Sequence, residues 1–164
     1  GTRSLEPGEK TRMSTNVNPY LIRCPECRTR NRIPAARFGG NARCGKCQAT
    51  IPTGDVLIEQ PLLVTDANFQ EKILGSPIPA LIFAWAPWCP SCGQIAPQFD
   101  AFAQESRGRV RAGKLNVDAN PVLAQKFNIL SVPFLFVFDN GQLRQSLPGG
   151  MMKHDMMMLM ASYI

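Results

Sequence analysis

Ala80-Leu81-Ile82-Phe83-Ala84-Trp85-Ala86-Pro87-Trp88-Cys89-Pro90-Ser91-Cys92 is the stretch on which the fold turns. Its first seven residues are continuously apolar, which suits a strand buried on both faces. Beyond the cysteines, Ile95, Phe99 and Phe102 recur at the spacing of a helix face, with Pro97 predicting a kink. A Cys-x-x-Cys that follows a buried strand and opens a helix is a redox motif rather than a metal knuckle. At that helix N-terminus Cys89 meets unpaired backbone N–H groups and the positive end of the helix dipole, and both favour thiolate over thiol. Cys89 is therefore the predicted nucleophile. Cys92, one turn later, is near enough to bond with it and is the predicted resolving thiol.

On both sides of this stretch, short strands and helices alternate. Leu62 to Thr65 reads as a strand, and Asp66 is placed to cap a helix reaching about Leu74. Val110 to Asn116 gives another strand and Val122 to Phe127 a short helix. Phe134 to Asp139, the turn Asn140-Gly141 and Leu143 to Leu147 form a predicted hairpin, followed by a last helix. The expected fold class is α/β, a mixed central sheet flanked by helices. Met156, Leu159, Met160 and Tyr163 have core spacing in the last helix, and His154 is expected to be exposed there. No internal repeat or low-complexity tract stands out.

Two further pairs, Cys24 with Cys27 and Cys44 with Cys47, lie sixteen residues apart near the front. C-x₂-C-x₁₆-C-x₂-C is zinc-ribbon spacing: two tight knuckles supply four thiolates to a closed tetrahedral Zn²⁺ site. The segment from about Pro19 to Pro52 lacks apolar periodicity and cannot bury a core unaided, so a bound ion is expected. An iron centre or two disulfides would fit the same spacing.

Charge is concentrated in the same region. Residues 1–50 hold ten Lys and Arg against three acids, and residues 51–164 hold eight against nine. Arg23, Arg28, Arg43 and Lys46 can offset the negative charge of a four-thiolate zinc centre. Contact of Arg28, Arg30, Arg32 and Arg37 with nucleic-acid phosphates is the functional alternative, disfavoured because no aromatic stacking series accompanies them. The longest apolar run, Ile78 to Trp88, is broken by two prolines and is too short to span a membrane. Residues 1–12 lack the apolar core of a secretory signal and are expected to be an appended leader before a natural start at Met13. Without such a signal, a reducing cytoplasm is the expected location.

The segment Trp85 to Cys92 resembles the active-site segment of the thioredoxin family, and the likeness extends over about Pro61 to Ile164. Pro97, Lys114-Leu115-Asn116-Val117-Asp118, Ser131-Val132-Pro133, Asn140-Gly141 and Gly149 all stand where that family has counterparts. The front cysteines resemble those of its zinc-containing thioredoxin 2 branch. The resemblance implies a thioredoxin fold over residues 55–164 behind a zinc ribbon at 13–54. It implies reduction of protein disulfides by Cys89 and Cys92, no organic cofactor, and recycling by a flavoenzyme thioredoxin reductase that uses NADPH. Val132 and a cis-Pro133 would pair with an extended substrate, Trp88 would shield the sulfurs, and Pro90 and Ser91 would complete the active-site support. The partners expected are disulfide-bearing proteins and the reductase, with no membrane or nucleic acid, and the chain is expected to act as a monomer. Two positions depart from the family. Phe83 stands in place of a buried aspartate, leaving Lys114 without that partner, and Pro90-Ser91 replaces Gly-Pro. Proline after the first cysteine resembles more oxidising relatives, so a disulfide oxidase or isomerase is the rival enzyme. A binding module built on the basic ribbon is the rival from outside enzymes.

Overall fold

In the computed structural model of the protein, residues 19–40 and 42–164 are described; the expected leader at 1–12 lies outside them. The chain divides into two compact units, the first ending at Asp55 and the second starting at Val56. In the first, β1 (Tyr20–Arg23) pairs antiparallel with β2 (Arg30–Ile33). Among the described residues its buried apolar side chains besides cysteine are Ile22, Ile33, Ala42 and Ile51, too small a core to offset chain entropy.

The second unit contains a five-stranded sheet made from β3 (Leu62–Val64), β4 (Ala80–Trp85), β5 (Arg111–Asn116), β6 (Phe134–Asp139) and β7 (Gln142–Pro148). Its order is β3-β5-β4-β6-β7. Strands β3 and β4 run parallel to β5, and β6 and β7 add antiparallel at the other side. Asn140 and Gly141 turn the last hairpin with φ of 52° and 78°, the two positive values that a type I′ turn requires.

Strand β4 is apolar throughout because it feeds two cores. Leu81 and Phe83 join Phe99 and Phe102 of α1 (Pro90–Glu105) and Met156 and Met160 of α3 (Lys153–Met160). Ala80, Ile82 and Ala84 point the other way, to Phe69, Ile73 and Leu123. The α3 methionines with helical spacing are thus core, and His154 is exposed. Gly113 of β5 leaves room for this second core: a Cβ there would lie 2.6 Å from Val64 Cγ2 and 2.9 Å from Ile82 Cδ1.

After β3 the chain does form a helical turn ending at Leu74, as expected, but of a different kind and with a different cap. Asp66 does not cap its own segment. Thr65 Oγ1 accepts from Asn68 N–H at 3.1 Å, Asn68 Oδ1 accepts from Thr65 N–H at 2.8 Å, and the chain then forms a π-helical turn over Gln70–Leu74. The Asp66 carboxylate instead accepts from Val122 N–H at 3.2 Å and Leu123 N–H at 2.9 Å. It caps α2 (Pro121–Lys126), while Asn120 Oδ1 accepts from Asp66 N–H at 3.0 Å. Helix N-termini present unpaired donors to any acceptor in reach. The one that satisfies α2 comes from a distant loop.

Candidate redox site and metal centre

The C-terminal end of β4 delivers Cys89 to the first turn of α1. Cys89 is the N-cap, its Sγ accepting Cys92 N–H at 3.2 Å, and Pro90 takes the first helical position, where a missing N–H costs nothing. Cys89 and Cys92 are joined as a disulfide with Cα atoms 5.3 Å apart. Both residues are buried, Cys89 7% exposed and Cys92 3%. Pro90 and Ser91 are exposed, and Ser91 Oγ is 3.5 Å from Cys89 Sγ.

The peptide Val132–Pro133 is cis, and Val132 O lies 3.7 Å from Cys89 Sγ. Pro133 O accepts from Gly149 N–H at 2.9 Å, which ties this loop to the end of β7. Gly150 follows, where a Cβ would come within 2.6 Å of Ile95 Cγ1 on α1. Close backbone approach thus holds the segment after β7 against the helix that carries the cysteines. Trp88 is 66% exposed, and its Nε1 donates to Asp118 Oδ2 at 3.0 Å. Asp118 anchors the indole, a role that the sequence reading did not find.

Behind the disulfide is a cavity of about 200 Å³, lined among others by Phe83, Trp85, Cys92, Ala96 and Lys114. Phe83 is buried and packs on Phe99 at 5.3 Å between ring centroids. Lys114 is not left without a carboxylate. Its Nζ meets Asp100 Oδ1 of α1 at 2.8 Å. The register places Phe83 and Lys114 side by side on neighbouring strands, and an apolar ring at 83 sends the ammonium to the helix for its partner.

In the first unit the two knuckles are near copies, a local repeat missed in the sequence. Cys24 N–H donates to Thr29 O and Arg28 N–H to Cys24 O; Cys44 N–H donates to Ala49 O and Gln48 N–H to Cys44 O. Arg28 and Gln48 both have positive φ, 64° and 68°. Arg23 Nη1 donates to Arg28 O at 2.8 Å, and Arg43 Nη1 to Gln48 O at 3.2 Å. Each arginine before a knuckle therefore braces its exit.

The four sulfurs suit a tetrahedral ion. All lie within 4.8 Å of one another, with Cys24 to Cys47 at 3.5 Å and Cys27 to Cys44 at 3.6 Å. Zn–S bonds of about 2.3 Å would give sulfur separations of roughly 3.8 Å. Backbone N–H groups of Glu26 and Lys46 point at Cys24 and Cys44, each at 3.3 Å, and Asn31 Nδ2 at Cys44 Sγ at 3.6 Å. The Cys47 and Lys46 amides and Asn31 bring the Cys44 thiol down to about 6. Thr29 lowers Cys27, through its hydroxyl and its backbone. The Ala49 amide favours the Cys47 thiolate, but Cys24, burial and the other sulfurs outweigh it and push that thiol up to about 12. A cluster that favours some thiolates and resists another needs a cation to hold all four. The residues fit a structural Zn²⁺, which would tie the knuckles together with no position open for catalysis.

A family model described as Thioredoxin matches residues 60–162, and one described as Thioredoxin 2, N-terminal matches residues 23–49. The chain is 38% identical over 101 residues to a thioredoxin of Synechocystis sp., covering 62% of this chain and 94% of that one. It is 41% identical over 90 residues to thioredoxin 1 of Synechococcus elongatus, covering 55% and 84%. With M-type chloroplastic thioredoxin of Pisum sativum it shares 36% over 107 residues, covering 65% and 62%. The span matched holds the dithiol at the start of α1 and the cis-proline loop beside it, so this chain belongs to the thioredoxin family of thiol-disulfide oxidoreductases, with a zinc ribbon of the thioredoxin 2 type in front.

Proposed function

We propose that the chain reduces protein disulfides by dithiol exchange, with Cys89 attacking and Cys92 resolving, and that a thioredoxin reductase restores the dithiol. The observation that carries the division of roles is Cys89 at the N-terminus of α1, its Sγ accepting Cys92 N–H. In the reduced protein the Cys89 thiolate attacks one sulfur of a substrate disulfide. A mixed disulfide forms, the substrate S–S bond breaks, and the departing substrate thiolate takes up a proton. Cys92 then gives up its proton and attacks Cys89 Sγ, forming the Cys89–Cys92 bond and releasing the second substrate thiol. Two electrons pass to the substrate, and the reductase returns them from NADPH.

In this reading Val132 and Pro133 offer backbone to an extended substrate segment, and Trp88, Pro90 and Ser91 form the exposed rim around the reacting sulfur. Cys24, Cys27, Cys44 and Cys47 hold the zinc. Residues 13–54 are the ribbon and 55–164 the redox domain of a monomer working in the cytoplasm; among the described residues no helix is long and apolar enough to cross a membrane. Cys89→Ser should abolish reduction of a protein disulfide, whereas Cys92→Ser should still attack and stall as a substrate adduct visible by mass spectrometry. Equal behaviour of the two variants would sink the assignment.

A further inference from the structure

The zinc centre explains only part of the ribbon's positive charge. Between residues 19 and 54 there are seven cationic side chains and one acid, Glu26. Four thiolates around Zn²⁺ carry a formal charge of minus two, so about four positive charges stay unanswered. Arg23 and Arg43 brace the knuckles. Arg32 and Arg37 do not: among the described residues neither side chain has a hydrogen bond or ion pair, and both are exposed.

Together with Arg43 these two arginines line a polar cleft of about 210 Å³ that contains no carboxylate among the described residues, with Asn31 and Gly45 in its wall. Asn31 Oδ1 accepts from Gly45 N–H at 2.9 Å, and its amide donates to Thr29 O at 3.0 Å and towards Cys44 Sγ. The wall of the cleft is therefore built on the metal centre. Guanidinium groups gathered without an acid recognise oxyanions, carboxylates and phosphates above all, through forked hydrogen bonds.

We propose that this arginine cleft docks carboxylate-rich segments of protein partners. The choice of protein over nucleic acid rests on the disulfide-reductase reading, in which the chain's substrates are proteins. It also rests on the lack of a stacking platform, since among the described residues no aromatic lines the cleft and Tyr20 and Phe38 are packed on each other at 5.2 Å. Docking of this kind raises the encounter rate and selects among partners.

The test uses the full zinc-loaded chain and a fluorescent oligoglutamate peptide, with binding followed by anisotropy. Binding should weaken about tenfold in R32Q/R37Q and less than about twofold in K126Q/R144Q, which removes the same charge from the other unit. It should vanish on zinc chelation, because Asn31 then loses its support. Amide shifts in the wild-type protein should centre on Asn31 to Arg43, which reads the site without any variant. Equal loss in the two double variants, no binding, or shifts elsewhere would overturn the cleft. Tighter binding of a single-stranded oligonucleotide of equal charge at these arginines would overturn the protein partner. Turnover of a small uncharged disulfide, measured alongside, tests the redox reading separately and should be the same in all these variants.

Discussion

The chain uses one spacing, Cys-x-x-Cys, for two kinds of chemistry, and the two regions differ in the path of the backbone beyond the second cysteine. After Cys27 and Cys47 the backbone enters positive φ at Arg28 and Gln48, and each knuckle folds back on itself. Its two sulfurs are then offered outward, and the close contacts run between knuckles, Cys24 with Cys47 and Cys27 with Cys44. After Cys92 the chain continues as α1, and the two sulfurs of one motif bond to each other. Proline after the first cysteine does not decide the outcome, since Pro25 holds that place in a knuckle and Pro90 in the helix. Cys-x-x-Cys by itself says little; the turn or helix that it opens decides whether it binds an ion or carries electrons.

The sharpest break of this comparison is Cys44→Ser. The ribbon should lose its zinc and unfold, since metal binding in such modules contributes on the order of 10 kcal/mol, while the redox unit keeps its own two cores and its activity. Cys89→Ser should do the reverse, keeping one zinc per chain and losing reduction. Elemental analysis and a disulfide-reduction assay read both, and loss of zinc from Cys89→Ser would contradict two separate sites. Acid should also part the two regions. Cys44 is lowered and Cys47 raised in the folded ribbon, which are opposite contributions to the pH dependence, so acid acts chiefly through the ion: zinc is held by thiolates, and protons compete for the sulfurs as pH falls. Zinc release followed by a chromogenic chelator should begin in mild acid while near-ultraviolet signals of Trp85 and Trp88 persist; simultaneous loss would mean that the units do not unfold separately.

A smaller effect is expected at Asp66. Removing the carboxylate that caps α2 should lower stability of the redox unit by about 1 kcal/mol, with zinc content unchanged. Denaturant midpoints for Asp66→Ala and Asp66→Asn would show it, the amide keeping part of the effect through its own acceptor. No loss in Asp66→Ala would mean that solvent caps α2 equally well.

Asp66 also marks the limit of what the sequence makes legible. Local periodicity revealed the strands of the redox unit, the hairpin with its Asn140-Gly141 turn, α1 and the helical Met positions, because each of those signals lies within a few residues; β1 and β2, four residues each and without apolar alternation, were not among them. The dithiol was legible from its place between a buried strand and a helix, and the four-sulfur cluster from the spacing of two motifs sixteen residues apart. Asp66 precedes a segment that could be helical, so it looks like that segment's cap. Its real partners, Val122 and Leu123, are brought near only by the sheet. The pairing of Asp118 with Trp88 and of Asp100 with Lys114 was hidden in the same way. The knuckle repeat was visible in principle, since Arg-Cys-x-x-Cys occurs at 23–27 and again at 43–47, but the part it plays depends on backbone turns that carry no residue signature: Arg28 and Gln48 are unalike.

The smallest effect concerns the charge beside the dithiol. In the ribbon, sulfur charge is met by amides and an ion. Behind Cys92 the cavity wall has one ionisable group besides the cysteines themselves, Lys114, tied to Asp100 on its outer side. A positive charge near the cavity favours thiolate, hence the reduced form, and raises the reduction potential; a carboxylate that neutralises it does the opposite. Lys114→Met should therefore make the pair more reducing and Asp100→Asn more oxidising. Asp100 is about half exposed, so solvent screens much of its field, and each shift should stay within about 30 mV, the equivalent of about 1.4 kcal/mol for two electrons. Thiolate absorbance at a fixed pH should fall in the first variant and rise in the second. Opposite signs are the signature of electrostatics. An ion pair that served only to hold α1 against β5 would destabilise the fold in both variants and move the two potentials together or not at all, and that result would remove Lys114 from the redox site.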